Sequence, residues 1–103
     1  MTPRLIARTD ENQADIVSAL RRVGAVVACT HQLGTGYPDL TVAYGGRNWL
    51  IECKMPGAAL TPDEERFHEE WRQRGQIAVV TAPEEAIELV TLTPERQGEW
   101  WYG

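Results

Sequence analysis

The sequence predicts an α/β sandwich: a small mixed sheet flanked by helices, in the order α-β-β-β-α-β-α. Three observations lead to this prediction. Apolar patterns with helical spacing alternate along the chain with short β-type runs, a Gly-Gly pair joins two of those runs, and a capping-box pattern opens the second helical stretch. No internal repeat or linker interrupts the alternation, so residues 1–103 are predicted to form one domain.

The first predicted helix lies within residues 9–23, where apolar side chains recur at helical spacing. Asp10 and Gln13 form a plausible capping pair in front of it, and Gly24 ends it. The first strand is predicted over residues 25–30, which form a short β-type run.

Two further strands, at residues 39–44 and 48–54, are joined by Gly45-Gly46. Such a pair between two strand-like runs is a good hairpin signal. The second helix begins at Thr61 and runs to about Gly75.

A fourth strand at residues 77–81 and a third helix at residues 83–89 complete the order. In the second helix, Phe67 and Trp71 are spaced by four residues, which favours core packing over a base-stacking surface. Residues 91–103 are interpreted as a C-terminal tail, in which Trp100, Trp101 and Tyr102 either fold back on the core or form a subunit interface.

The composition limits the function classes. Fifteen acidic and ten basic side chains give a formal net charge of −5, so the overall field does not attract nucleic acid. Such a partner would require a local arginine patch, bound cations or a second subunit.

No apolar run approaches the ~20 residues of a membrane span and no signal-peptide core is present, so we expect a cytoplasmic protein. Cys29 and Cys53 are expected to be buried thiols, since they lack the spacing of a disulfide framework or a zinc site.

The register of the predicted hairpin brings acidic side chains together. If Gly45-Gly46 is a two-residue turn, Asp39 lies opposite Glu52, and Lys54 projects from the same face of the sheet. The other face is apolar and is predicted to be core; it carries Leu40, Val42, Trp49, Ile51 and Cys53.

Adjacent carboxylates repel each other unless something compensates, and a divalent cation does so. Two carboxylates leave most coordination positions to water, a backbone carbonyl and phosphate oxygens, which suits Mg²⁺ or Mn²⁺ better than zinc. The ammonium of Lys54 beside such an ion can orient a water molecule as nucleophile, and it offsets charge on a phosphate. The implied reaction is hydrolysis of a phosphodiester.

These residues resemble the PD-(D/E)xK nucleases, and within them the virus-type replication-repair nuclease (VRR-Nuc) branch, whose small stand-alone members occur in phages and bacteria. The resemblance spans about residues 9–90 and implies a restriction-endonuclease-like fold. Five segments carry it in order: Glu11-Asn12-Gln13, Gly24, Gly36 to Leu40, Ile51 to Lys54, and Leu60 to Glu64.

The resemblance implies that Asp39, Glu52 and the backbone carbonyl of Cys53 bind Mg²⁺ or Mn²⁺, with Lys54 as the catalytic lysine. No small-molecule cofactor is implied.

In this family the first helix also contributes an acid or an amide to the active site. Gln13 is the better aligned residue and Glu11 the chemically stronger one, so both stay open. Glu64 lies where the branch often has glutamine, and its simplest interpretation is a capping-box acid. Gly34 and Gly36 are expected to let the loop backbone approach a phosphate closely.

The resemblance further implies a homodimer that acts on branched DNA such as four-way (Holliday) junctions. Two active sites related by a two-fold axis would cut two strands symmetrically. Phosphate contacts are expected from the arginines, namely Arg4, Arg8, Arg21, Arg22 and Arg47.

Two other function classes stay open at this stage. One is a DNA-binding or assembly module that keeps the nuclease fold without catalysis, although such relatives usually lose one of Asp39, Glu52 and Lys54. The other is an interaction protein whose acidic second half contacts a basic partner, and it predicts no binding of Mg²⁺ or Mn²⁺.

Overall fold

The computed structural model describes residues 11–92, so the predictions that concern Arg4, Arg8, Asp10 and residues 93–103 lie outside the described residues. The observed element order is α-β-β-β-α-β-α, which confirms the predicted α/β sandwich. The elements are α1 (Gln13–Arg22), β1 (Val26–Cys29), β2 (Leu40–Tyr44), β3 (Arg47–Cys53), α2 (Pro62–Arg72), β4 (Ile77–Val80) and α3 (Pro83–Thr91).

The four strands form one mixed sheet in the order β1-β2-β3-β4. Strand β2 is antiparallel to both β1 and β3, whereas β4 pairs with β3 in parallel. In the hairpin of β2 and β3, Tyr44 pairs with Arg47 and Leu40 pairs with Ile51. The predicted two-residue turn and its register are therefore confirmed.

The hydrophobic core lies between one face of the sheet and the helices α1 and α3. All five hairpin side chains predicted for the core face are buried there. Helix α1 contributes Ile16 and Leu20, which are fully buried, and α3 contributes Ala86 and Val90. Their helical spacing places the apolar side of each helix on the sheet.

Helix α2 does not share that core. Of its residues, all within the described range, only His68 is buried. Phe67 is half-buried and Trp71 is exposed, and neither belongs to the hydrophobic core. The prediction of core packing for these two aromatic residues is thus wrong, because helical spacing shows that two side chains share a face but not that another element covers it.

Two smaller expectations also differ from the structure. Asn12 stands at the N-cap of α1 and Gln13 is the first residue of the helix, and among the described residues the Asn12 side chain makes no capping bond. Cys53 is buried as expected, but Cys29 is exposed because it ends the edge strand β1, which has a neighbour on one side only.

Within residues 11–92, no helix has the length and apolar character needed to cross a bilayer.

Candidate active site

Asp39 lies at the open end of the hairpin, immediately before β2. Because Leu40 pairs with Ile51, the register brings Asp39 level with Glu52. The Oδ2 atom of Asp39 accepts a hydrogen bond from the backbone N–H of Cys53 over 2.9 Å. This bond fixes the Asp39 carboxylate against the end of β3.

Glu52 is a buried acid, and one of its two carboxyl oxygens lacks a hydrogen-bond partner within residues 11–92. The residue is 3% exposed, and its Oε1 atom is buried without a hydrogen-bond partner in this part of the chain. Burial, together with the Asp39 and Glu64 carboxylates, raises the pKa of Glu52 from its ordinary 4.5 to about 9. The charge of Lys54 lowers this pKa, but its effect is smaller. The carboxyl group is therefore protonated at neutral pH unless a cation is bound.

Lys54 lies between two carboxylates. Its Nζ atom is 2.9 Å from Oε1 of Glu64 and 3.9 Å from Oε2 of Glu52. The lysine is mostly buried, with a side chain that is 14% exposed. The ammonium is thus held at the site by acids from both β3 and α2.

Glu64 has two roles in the structure. It closes the predicted capping box, since its Oε1 accepts from the Thr61 N–H and the Thr61 hydroxyl accepts from the Glu64 N–H. The same carboxylate pairs with Lys54. Although burial raises the pKa of Glu64, the bond from Thr61 and the charge of Lys54 hold it below its ordinary value, so Glu64 stays ionised.

Asn12 connects the start of α1 to the site. Its Nδ2 group donates to the carbonyl of Lys54 over 3.0 Å and to the carbonyl of Thr81 over 2.8 Å. The side chain therefore ties α1 to the ends of two adjacent strands, which explains why it does not cap its own helix.

The two first-helix candidates differ in their surroundings. Glu11 is exposed, whereas Gln13 is buried and begins α1. The Oε1 atom of Gln13 is buried and has no hydrogen-bond partner within the described range. Gln13 is therefore a polar group in the interior at the helix end that Asn12 joins to Lys54.

Gly36 packs against the start of α2. Its φ is +85°, and a side chain there would place its Cβ 2.8 Å from the carbonyl carbon of Asp63. Only glycine allows this close approach of two backbones. The surroundings of Gly34 differ, since a Cβ added there would meet no described atom within 4 Å.

Two of the candidate arginines have structural partners. Arg47 donates to the carbonyl of Val90 over 2.9 Å and stacks on the ring of Trp49. It lies at the turn end of the hairpin, away from Asp39 and Glu52. Arg21 donates to the carbonyl of Val27 on the edge strand.

The residues at the site fit a divalent cation that prefers oxygen ligands. Within residues 11–92, no three His, Cys, Asp or Glu side chains form a metal-binding group. Two carboxylates with a backbone carbonyl are nevertheless sufficient for Mg²⁺, which keeps several water ligands. Such an ion would give the Oε1 atom of Glu52 a partner, and it would offset the repulsion that arises between Glu52 and Asp39 when both are ionised.

Sequence reasoning did not identify Asn12 as a site residue, and for Glu64 it favoured a capping-box role over a role in the site. The partners of Asn12 are 42 and 69 residues away, so no local pattern indicates them. The capping-box spacing did place Glu64 at the first turn of α2, but only the packing of that turn on β3 shows its contact with Lys54.

His68 is a further polar residue beside the site that the sequence did not single out. It is 1% exposed, and its Nε2 atom is buried without a hydrogen-bond partner among the described residues. Burial and the nearby Arg72 hold the pKa of His68 below its ordinary value, so the ring is neutral at neutral pH.

The fold was compared with known proteins. No protein-family model and no curated protein sequence matches the chain. A search of solved structures finds a structure described as a VRR_NUC domain, with a TM-score of 0.63 and 23% sequence identity. The match covers 77% of this chain and 94% of that one. The similarity expected from the sequence is therefore confirmed at the level of the fold: the chain has the fold of a VRR_NUC domain.

Proposed function

We propose that this protein is a metal-dependent DNA endonuclease that hydrolyses phosphodiester bonds. The observation that carries the proposal is the buried Glu52, whose Oε1 has no hydrogen-bond partner within residues 11–92 and whose neighbours are Asp39 and Lys54. Burial of a carboxylate beside other carboxylates is costly, and function is the usual reason to retain it.

Asp39, Glu52 and the Cys53 carbonyl are the residues that would hold the Mg²⁺ or Mn²⁺ ion. When bound, the ion supplies Lewis-acid stabilisation of the negative charge that develops on the phosphate. The bond between Asp39 and the Cys53 N–H keeps this carboxylate in place before the substrate arrives.

Lys54 acts on the phosphate and on the attacking water. Its ammonium donates hydrogen bonds to a phosphate oxygen or to the water, while Glu64 holds it at the site. The water oxygen bonds to phosphorus, the ester P–O bond breaks, and a proton passes to the departing sugar oxygen. The products are a phosphate monoester and a hydroxyl end.

Gln13, rather than Glu11, is the first-helix residue that we assign to the site. The support is the burial of Gln13 and its unpartnered oxygen among the described residues, whereas Glu11 is exposed. A neutral amide can orient water without adding charge to an already acidic site.

We also propose that the enzyme selects branched DNA, such as four-way junctions, and acts as a homodimer in the cytoplasm of a bacterium or of a phage-infected cell. A chain of this size offers little surface for a duplex, and a two-fold dimer would present two active sites to two strands.

The alternative is a non-catalytic module that binds nucleic acid and keeps this fold. The presence of Asp39, Glu52 and Lys54 in one cluster supports the enzyme instead.

The substrate proposal is tested by incubating the protein with labelled four-way junction, duplex, flap and single-stranded DNA in Mg²⁺ or Mn²⁺. We expect symmetrical cuts in the junction at a rate well above that for the duplex, and a dimer in sedimentation. Equal rates on all substrates by a monomer would contradict the junction selectivity. Binding without any cleavage would favour the non-catalytic module.

A further inference from the structure

Three aromatic rings form a continuous row outside the hydrophobic core. The Phe67 ring contacts Tyr37 edge-on, with centroids 5.2 Å apart. It stacks on Trp71 with centroids 5.6 Å apart and an angle of 12° between the ring planes. We call these three rings the aromatic platform.

The outer end of the aromatic platform opens to solvent. Trp71 is 38% exposed, and a pocket of about 440 Å³ lies beside it. This volume falls within the ~300–1,000 Å³ range of pockets that hold small molecules. The lining side chains and backbone belong to Phe67, Glu70, Trp71, Arg74 and Gly75.

The indole of Trp71 is fixed by its packing. A Cβ at Gly75 would lie 3.0 Å from Cδ1 of Trp71 and closer still to its Nε1, so the indole occupies the space of the missing side chain. Phe67 stacks on the same indole, so packing on both sides restricts the rotation of the ring. A ring that is both exposed and fixed loses little side-chain entropy when a partner binds it.

The inner end of the aromatic platform is close in sequence to two residues of the candidate active site. Tyr37 comes two residues before Asp39, and Phe67 follows Glu64 by one turn of α2. The ring centroids of Tyr37 and Trp71 are no more than about 11 Å apart, because the Phe67 centroid lies 5.2 Å from the first and 5.6 Å from the second. That distance corresponds to ~3 stacked nucleotides of one strand.

We propose that Trp71 stacks an unpaired base of the DNA substrate next to the bond that is cut. The inference rests on the proposed nuclease function and specifies its substrate: branched DNA with a nucleotide that is unpaired at the branch point, beside the cleavage point. A duplex presents its base edges and its backbone, whereas only an unpaired base offers a ring face to an aromatic side chain.

The charges around the pocket orient the strand. Arg74 lines the pocket and supplies a cation for the phosphate of the stacked nucleotide. Glu70 lines it as well and repels phosphate from its own position. The backbone of the strand therefore lies towards Arg74, with the base against Trp71.

The test uses the full chain with Glu52→Gln, which removes cleavage, and a single-stranded oligodeoxynucleotide that carries 2-aminopurine. Fluorescence of this base falls when it stacks on an aromatic ring. We expect binding to quench the probe. We expect Trp71→Ala to abolish the quenching and to weaken binding about 5- to 150-fold, the range for one stacked base.

Three further variants serve as controls. Trp71→Phe keeps a ring and should retain most of the quenching. Val26→Ala removes an exposed apolar side chain from β1 and should change nothing. Arg74→Glu leaves the rings in place, and it should weaken binding and reduce its salt dependence while quenching at saturation persists.

Quenching that is absent in the parent chain or unchanged by Trp71→Ala would overturn the proposal. The proposal would also be overturned if sedimentation showed that Trp71→Ala dissociates a dimer. That result would mean that a second copy of the chain covers the Trp71 ring. The readout needs no cleavage, so failure of the wild-type chain to cut DNA would contradict the nuclease function while a positive stacking result would still stand.

Discussion

The Nζ atom of Lys54 lies 2.9 Å from Oε1 of Glu64. The same Glu64 oxygen accepts the N–H of Thr61 and closes the capping box of α2. One carboxylate thus sets both the start of a helix and the position of the lysine. The local sequence pattern that begins α2 therefore also determines the geometry of the candidate active site.

Glu64→Gln and Glu64→Ala separate the two roles of this residue. Glutamine keeps an oxygen for the Thr61 N–H but lacks the charge that holds Lys54, so we expect near wild-type stability and reduced kcat with little change in KM. Alanine also removes the capping bond, and it should cost a further ~0.5–1.5 kcal/mol in urea denaturation. Equal stability of the two variants would show that the capping bond contributes nothing.

Glu52→Gln should stabilise the metal-free protein at alkaline pH. The pKa of Glu52 in the folded protein, about 9, exceeds its ordinary 4.5, so the folded state binds the extra proton. The contribution of Glu52 to the stability of the metal-free wild type is then full below pH 4.5 and is lost as the pH rises towards 9. Glutamine cannot ionise, and we expect a gain on the order of 1–3 kcal/mol at pH 8.

The same variant should lose its response to metal. Millimolar Mn²⁺ should raise the Tm of the wild type, since an ion that binds only the folded state stabilises it, and Glu52→Gln should abolish this shift. Glu88→Gln on the exposed side of α3 is the matched control and should stay within about 0.5 kcal/mol of wild type. A Glu52→Gln protein that is less stable at pH 8 without metal would contradict this assignment.

Asn12→Ala should destabilise the fold by about 1–3 kcal/mol, because the carbonyls of Lys54 and Thr81 would lose their donor. Denaturant unfolding measures the change. Gln73→Ala removes an exposed amide that donates to the Glu69 carbonyl, and it should cost less than about 0.5 kcal/mol. If both variants have the same small cost, Asn12 does not anchor α1 to the strands.

Gly36→Ala and Gly34→Ala distinguish steric contact from backbone strain. Both glycines have positive φ, at +85° and +74°, so either alanine costs about 1–2 kcal/mol of strain. At Gly36 the added Cβ also meets the backbone of Asp63, and we expect a further loss of ~1–3 kcal/mol together with reduced cleavage. Thermal unfolding of the two variants compares them directly, and equal losses would rule out the close approach.

The sequence was sufficient to predict the hairpin and its two faces. A Gly-Gly turn fixes the register, and a period of two then assigns Leu40 and Ile51 to the core. This short-range logic also placed Asp39 and Glu52 at the same end of the hairpin. Strand pairing between neighbours in the chain depends mostly on local residues, which explains the success.

Contacts between distant elements could not be predicted in the same way. The bonds of Asn12 reach the ends of two strands, and no feature of residues 11–23 indicates them. Likewise, the pattern of α2 does not show that the helix buries His68 while leaving Trp71 exposed. Such outcomes depend on how the helix docks on the sheet, which is a property of the whole fold.

The most direct test of the nuclease proposal is cleavage of labelled branched DNA in Mg²⁺ or Mn²⁺ by the wild-type chain and by Lys54→Ala, with circular dichroism to establish that the variant is folded. We predict cleavage by the wild type that stops in EDTA, and a loss of at least ~100-fold in the folded variant, as expected when a group that stabilises transition-state charge is removed. Equal cleavage by both proteins, or cleavage that persists in EDTA, would contradict the assignment of Lys54 and the metal to the reaction.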